Sequence, residues 1–180
     1  MRIVRGETLE VARHEAIKEG PRWWFVWRPT GRGLPLPELE PSPSRFAVAG
    51  RWVAWANGCD YGCGVSVHRI DVDSGRLEGN PVGGPPYTED AVRRGESQRP
   101  GEPCFTYGTA GSQESGVTAL VVSDSGAIAW IQSQHVCEMP RGSDVPSVLA
   151  SNPEIAPSYL RLVDGHVYWK EETVHSAPFG

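Results

Sequence analysis

Residues 47–58 read AVAGRWVAWANG, and this stretch decides the fold because it recurs. VVSDSGAIAWIQS (121–133) and RLVDGHVYWKEE (161–172) follow the same plan. Each has an apolar run, a tight turn with a glycine, then a second apolar run that reaches a tryptophan. The turn glycines are Gly50, Gly126 and Gly165, and the tryptophans are Trp55, Trp130 and Trp169. An aliphatic residue precedes each tryptophan by two places: Val53, Ile128 and Val167. Side chains alternate along a strand, so each aliphatic residue shares a face with its tryptophan. Those six residues are the predicted core of a structural repeat. Asp and Gly in SDSG and VDG suit hairpin turns, which need positive φ or a side chain that bonds back to the backbone.

The first copy continues into GVSVHRIDV (64–72), which alternates Val65, Val67 and Arg69 against Ser66, His68 and Ile70 and closes in DSG. The unit is therefore a β-meander of three or four strands. The second copy returns through 135–139, with 148–150 leading out, and the third returns through 173–179. RWWFVWR (22–28) reads as a strand of an earlier, partial copy that lacks the glycine spacing. The step from Trp130 to Trp169 matches one propeller blade of roughly 40–50 residues. The step from Trp55 to Trp130 is longer by an insertion at 79–103, rich in Gly, Pro and charge, which reads as an exposed loop. RPTGRGLPLPELEPSPS (28–44) alternates prolines and reads as an extended connector. The expected organisation is N-terminal strands with a Pro-rich connector over 1–45, forming a partial blade, and a propeller-like domain over 46–180. The fold class is all-β, meander blades of a propeller-like domain, with a β-sandwich as the alternative. Three clear blades fall short of the 4–8 of closed propellers, so the chain reads as part of a propeller or as a small irregular one.

Composition agrees. Among 180 residues there are 21 Gly and 16 Pro, above average usage, as many turns and short strands require. Seven Trp, five Tyr and four Phe supply a core. The net charge of −5 argues against a nucleic-acid surface, which is usually basic. No stretch approaches the ~20 apolar residues of a membrane helix. The opening MRIVRGETLEVARHEAIKEG carries charge throughout and has no apolar segment of the signal-peptide kind.

FAVAGRWVAW followed by VSVHRIDVDSG resembles the blades of uncharacterised bacterial TolB-like β-propeller proteins, in their C-terminal part. There a strand ends in Gly, the next reads apolar–Ala–Trp, and the third closes with Asp-x-x-x-Gly. The resemblance covers 46–78 and 117–178. It implies a domain that binds proteins or glycans or acts as a scaffold, and it brings no catalytic residues with it.

Cys59, Cys63, Cys104 and Cys137 form an even set that permits three pairings. The preferred reading is two disulfides, Cys59–Cys63 closing a loop between strands and Cys104–Cys137 closing a longer one. They would stabilise by about 2 and about 4 kcal/mol in the chain-entropy picture. Such bonds place a protein outside the reducing cytosol, in the cell envelope or beyond it. Four reduced thiols packed as small hydrophobes is the alternative. Zinc, with His68 and His135 completing a site, lacks the paired knuckle spacing. A thioredoxin-type role lacks the C-x-x-C at a helix start. Asp71 and Asp73 in DVDSG resemble half of a calcium loop, but Val82 stands where the closing Glu is needed, so the stretch reads as a turn. Acidic pairs such as Glu38 with Glu40, or Glu171 with Glu172, read as solvated. His166 is expected in solvent or between blades. No nucleophile elbow or phosphate loop is present. The expectation is a non-enzymatic, exported binding or scaffold module without a cofactor, its partner a protein or a glycan. The competing expectation is a glycan-acting enzyme at the blade ends, which needs two carboxylates within about 10 Å.

Overall fold

The computed structural model describes residues 3–5, 9–16, 20–27, 32–35, 45–57, 66–80, 104, 116–143 and 146–180. Among these, residues 3–35, 57, 66 and 76–80 are described by backbone and pairing alone. The described residues form four antiparallel sheets, and no helix occurs among them. The first contains β1 (Ile3–Arg5), β2 (Leu9–Ala16), β3 (Gly20–Trp27) and β4 (Arg32–Pro35). The second contains β5 (Arg45–Ala49), β6 (Trp52–Asn57), β7 (Ser66–Asp71) and β8 (Arg76–Asn80). The third contains β9 (Val117–Val122), β10 (Ile128–Gln132), β11 (His135–Met139) and β12 (Ser147–Ser151). The fourth contains β13 (Leu160–Val163), β14 (His166–Lys170) and β15 (Val174–Pro178).

Every sheet is a meander in chain order. The leading strands touch in succession, β1 on β5, β5 on β9 and β9 on β13. That is the arrangement of propeller blades, and the all-β, propeller-like class holds. The N-terminal stretch, read as strands ahead of a Pro-rich connector, forms a sheet of its own. Residues 3–35 make four strands, with RWWFVWR falling largely in β3. Without the Gly-to-Trp spacing this sheet was not recognisable as a full copy. The expected insertion at 79–103 begins two residues late, since Gly79 and Asn80 belong to β8, and 81–103 lies outside the described residues.

Alternation sorts each second strand into two faces. On β6, Trp52, Ala54 and Ala56 face the third sheet, where they are buried with Ile128, Trp130, Cys137 and Met139. Val53 and Trp55 lie on the other face and are also buried. On β10 and just before it, Ala127, Ala129 and Ile131 face the fourth sheet, where they are buried with Leu160, Val167, Trp169 and Phe179. Trp130 and Trp169 therefore each lie against the sheet before their own, on alanines. Burying an indole of this size is worth roughly 4–6 kcal/mol as an upper figure.

Two features lock the second sheet to the third. Arg69 on β7 is fully buried and reaches across the interface. Its Nη1 donates to the carbonyls of Gly126 (2.7 Å), Met139 (3.3 Å) and Pro140 (3.0 Å), and its Nη2 to that of Ser143 (3.1 Å). The guanidinium also lies 5.9 Å from the Trp52 ring centroid. Gly126 is the second feature. Its φ is +95°, and a Cβ there would stand 2.4 Å from Cε2 of Trp52.

Gly126→Ala is expected to cost about 3–5 kcal/mol, the sum of left-handed strain and overpacking. Gly142→Ala, with φ +73° and open space around it, should cost only about 1–2 kcal/mol. Urea denaturation of both variants checks this. Equal losses would mean that Trp52 does not press on Gly126.

Candidate functional site

The strand directions give the stack two unlike ends. At one lie the turns 50–51, 72–75, 123–127, 140–143 and 164–165. At the other lie 133–134, 152–159 and 171–173, beside the ends of β6 and β8. Long connections carry binding groups more often than tight turns do, because their side chains are free of the strand ladder.

At this loop end of the third and fourth sheets, hydrogen-bonding side chains form a continuous belt. Ser133 and Gln134 make the β10–β11 turn with φ of +46° and +67°. Both residues are left-handed without being Gly or Asn, at roughly 1–2 kcal/mol each. The Asn152 amide N–H donates to the Gln134 carbonyl (3.1 Å), which seats 152–159 beside that turn. His135 Nδ1 and Ser151 Oγ lie 2.7 Å apart at the surface. Asn152 Nδ2 donates to Glu171 Oε2 (2.6 Å), and the Trp169 indole N–H donates to Glu171 Oε1 (3.1 Å). His175 Nε2 stands 3.6 Å from Glu171 Oε2 and 3.2 Å from Thr173 Oγ1. This is not a nucleophilic triad. The hydroxyl and the carboxylate share one imidazole nitrogen, so no acid orients the far side of the ring. Glu171, expected to be solvated, is instead held by three side chains.

That belt grows from a feature of the repeat. The indole N–H of Trp130 donates to Gln132 Oε1 (3.1 Å), as that of Trp169 does to Glu171, two places on. Asn57 holds the same sequence position after Trp55. Among the described residues, Trp55 Nε1 is the one buried side-chain polar atom without a partner. Opposite each tryptophan the third strand supplies His68, Cys137 or His175. His68 stacks on Trp55 at 5.4 Å, and His175 on Trp169 at 5.9 Å. Burial pushes the pKa of His68 below its ordinary 6.5, because an imidazolium there would lose its hydration. His135 moves the same way for the same reason.

The six residues of the expected repeat core, Val53, Trp55, Ile128, Trp130, Val167 and Trp169, are all buried. Cys104 and Cys137 form a disulfide, with Cα atoms 5.8 Å apart. Both are buried within the interface between the second and third sheets. Cys59 and Cys63 lie outside the described residues. The paper zinc site does not assemble, since Cys137 is oxidised and His135 is committed to Ser151. No group of three metal-ligating side chains occurs among the described residues. Asp71 and Asp73 form the expected turn. Asp71 Oδ1 accepts the Asp73 amide N–H (3.0 Å), the Asp71 carbonyl accepts that of Gly75 (2.8 Å), and both carboxylates approach Arg51. His166 is exposed, its Nδ1 3.1 Å from the Asp164 carbonyl. No helix among the described residues is long and apolar enough to cross a membrane.

No protein-family profile matches the chain, and no curated protein does. Among solved structures, a prolyl endopeptidase superposes with a TM-score of 0.39 at 17% identity, over 94% of this chain and 32% of its own. This chain thus spans about a third of that protein's length.

Replacing Cys104 and Cys137 together by Ala is expected to remove about 4 kcal/mol of stability, the closure entropy of their loop. Urea denaturation reads the loss. Alkylation before reduction should leave both native cysteines unlabelled. Stability is also expected to be complete above pH 6.5 and to fall as the pH drops below it. There the unfolded chain takes up protons on His68 and His135 that the folded chain resists. Denaturation between pH 8 and pH 5 checks the sign, and His68→Phe should flatten the slope.

Proposed function

We propose that this chain is a non-enzymatic binding or scaffold module of the TolB-like kind that its sequence resembles, working outside the reducing cytosol. Its ligand surface is the loop end of the third and fourth sheets, and its partner is a protein or a glycan. The observation that carries this reading is the Ser133–Gln134 turn. Two non-glycine residues are held left-handed beside a belt of partly exposed hydrogen-bonding groups. Strain of that kind persists where a side chain is needed more than local stability is. A buried disulfide favours an oxidising compartment. At the loop end Glu171 is engaged by Asn152, Trp169 and His175, and His135 by Ser151, as a rigid recognition surface requires.

The test uses glycan and peptide arrays probed with the intact chain and with the double variant Ser133→Asn, Gln134→Gly. The variant relaxes the turn and should gain about 1–2 kcal/mol of stability. It should also lose binding to any array member that the parent retains. Amide exchange in the complex should protect 133–135, 151–154 and 171–175. Protection confined to 72–75, 123–127 and 164–165 would overturn the placement. Shortened glycans in the mass spectrum would favour the enzyme alternative.

A further inference from the structure

Among the described residues the fourth sheet has three strands, and the first, second and third have four each. In those three sheets the third strand, β3, β7 or β11, is covered along its outer edge by β4, β8 or β12. β15 holds the third place in the fourth sheet and, among the described residues, pairs with β14 alone. Its outer edge is open where each sister strand is paired.

Three backbone bonds fix which groups that edge presents. The Phe179 amide N–H donates to the Gly165 carbonyl (2.8 Å) and that of Glu171 to the Thr173 carbonyl (2.9 Å), both across the β14–β15 hairpin. The Ala156 amide N–H donates to the Lys170 carbonyl (2.8 Å), on the other side of β14. In an antiparallel ladder the direction of bonding alternates residue by residue. Thr173, His175, Ala177 and Phe179 therefore bond inward, to β14. Val174 and Ser176 turn both N–H and C=O outward, and both residues are exposed.

The other outer strands are blunted against pairing, as the sheet edges of soluble proteins commonly are. β4 contains Arg32 and Pro35, and β8 contains Arg76 and Glu78. β12 carries no charge, but its register on β11 shifts between Val136 and Cys137, with Leu149 as the extra residue. Residues 174–177, VHSA, contain no Lys, Arg, Asp or Glu and pair without a shift. Pro178 closes that run at one end only. Val174 is 54% exposed, an apolar side chain left uncovered beside the open edge.

We propose that β15 accepts a fourth strand from a partner polypeptide, running antiparallel as β4, β8 and β12 do. The incoming segment is extended and four or five residues long, as those strands are. Two of its residues stand opposite Val174 and Ser176 and exchange a pair of main-chain bonds with each. The residue opposite Val174 is β-branched or aromatic, because such a side chain covers the exposed valine. A second copy fits less well. The antiparallel register in which its β15 uses every outward group of Val174 and Ser176 sets a serine hydroxyl against that valine. The edge is distinct from the loop-end surface proposed above and does not depend on it.

A phage library of random heptapeptides selected on the intact chain supplies the probes, and enriched sequences are synthesised for titration by amide NMR. In the free chain the Val174 and Ser176 amides should exchange well ahead of those of His175 and Ala177, and bound peptide should slow them about tenfold or more. Ser176→Pro removes one outward donor and leaves the ladder to β14 whole, and Val174→Lys sets a charge on the edge. Each should weaken peptide binding about tenfold or more, the loss of one main-chain bond or of the valine contact. Circular dichroism verifies the fold of each variant. The double variant Ser133→Asn, Gln134→Gly should still bind the peptide, which separates this site from the loop end. A selection that enriches nothing overturns the proposal, as do peptides that both edge variants still bind. So does a dimer in sedimentation velocity that Ser176→Pro abolishes, since it assigns the edge to a second copy.

Discussion

An indole needs a flat surface of small side chains, and that requirement organises this protein. Trp130 is buried with Ala54 and Ala56 of the second sheet, and Trp169 with Ala127 and Ala129 of the third. A Leu in place of any of these alanines would hold the indole away and leave a gap that neither sheet fills alone. The Ala on one side of each second strand and the Trp on the other are two halves of one device. The second and third sheets each present a tryptophan backwards and a shelf forwards. The chain thereby stacks sheets in order, with each leading strand beside the last.

The interface between the second and third sheets is the most strongly tied among the described residues. Trp52 lies against Gly126, Arg69 fills a ring of backbone carbonyls, and the Cys104–Cys137 disulfide is buried in the same core. A buried guanidinium is costly unless its N–H groups are engaged, and here four carbonyls engage it. Those carbonyls belong to the 123–127 turn and to the residues around 140, so the clamp acts at the tight-turn end. The strained Ser133–Gln134 turn is at the opposite end.

The polar belt at the loop end is the surface we propose for recognition. Its groups are paired, partly exposed and spaced along strand ends, and the imidazole of His175 is stacked rather than poised for proton transfer. Three positions opposite the tryptophans hold His, Cys and His, one site in the repeat put to different uses. His68 is enclosed, Cys137 is covalently bound, and His175 meets a carboxylate because Glu171 stands where Gln132 stands in the third sheet.

Periodicity determined the strands of the three Trp-bearing repeats, their turn glycines and the six core residues. These follow from two-residue alternation and from the backbone needs of tight turns, both of which are local. Tertiary structure decided the rest. The N-terminal sheet carries no Gly-to-Trp ruler, so its four strands emerge only through pairing. Arg69 reads as a surface cation, and its carbonyl ring comes from residues more than fifty places away. Glu171 reads as solvated until Asn152 and His175 close on it. A sequence displays which face of a strand a residue takes. Which partners wait across that face depends on how separate sheets meet, and that is settled by packing over the whole chain.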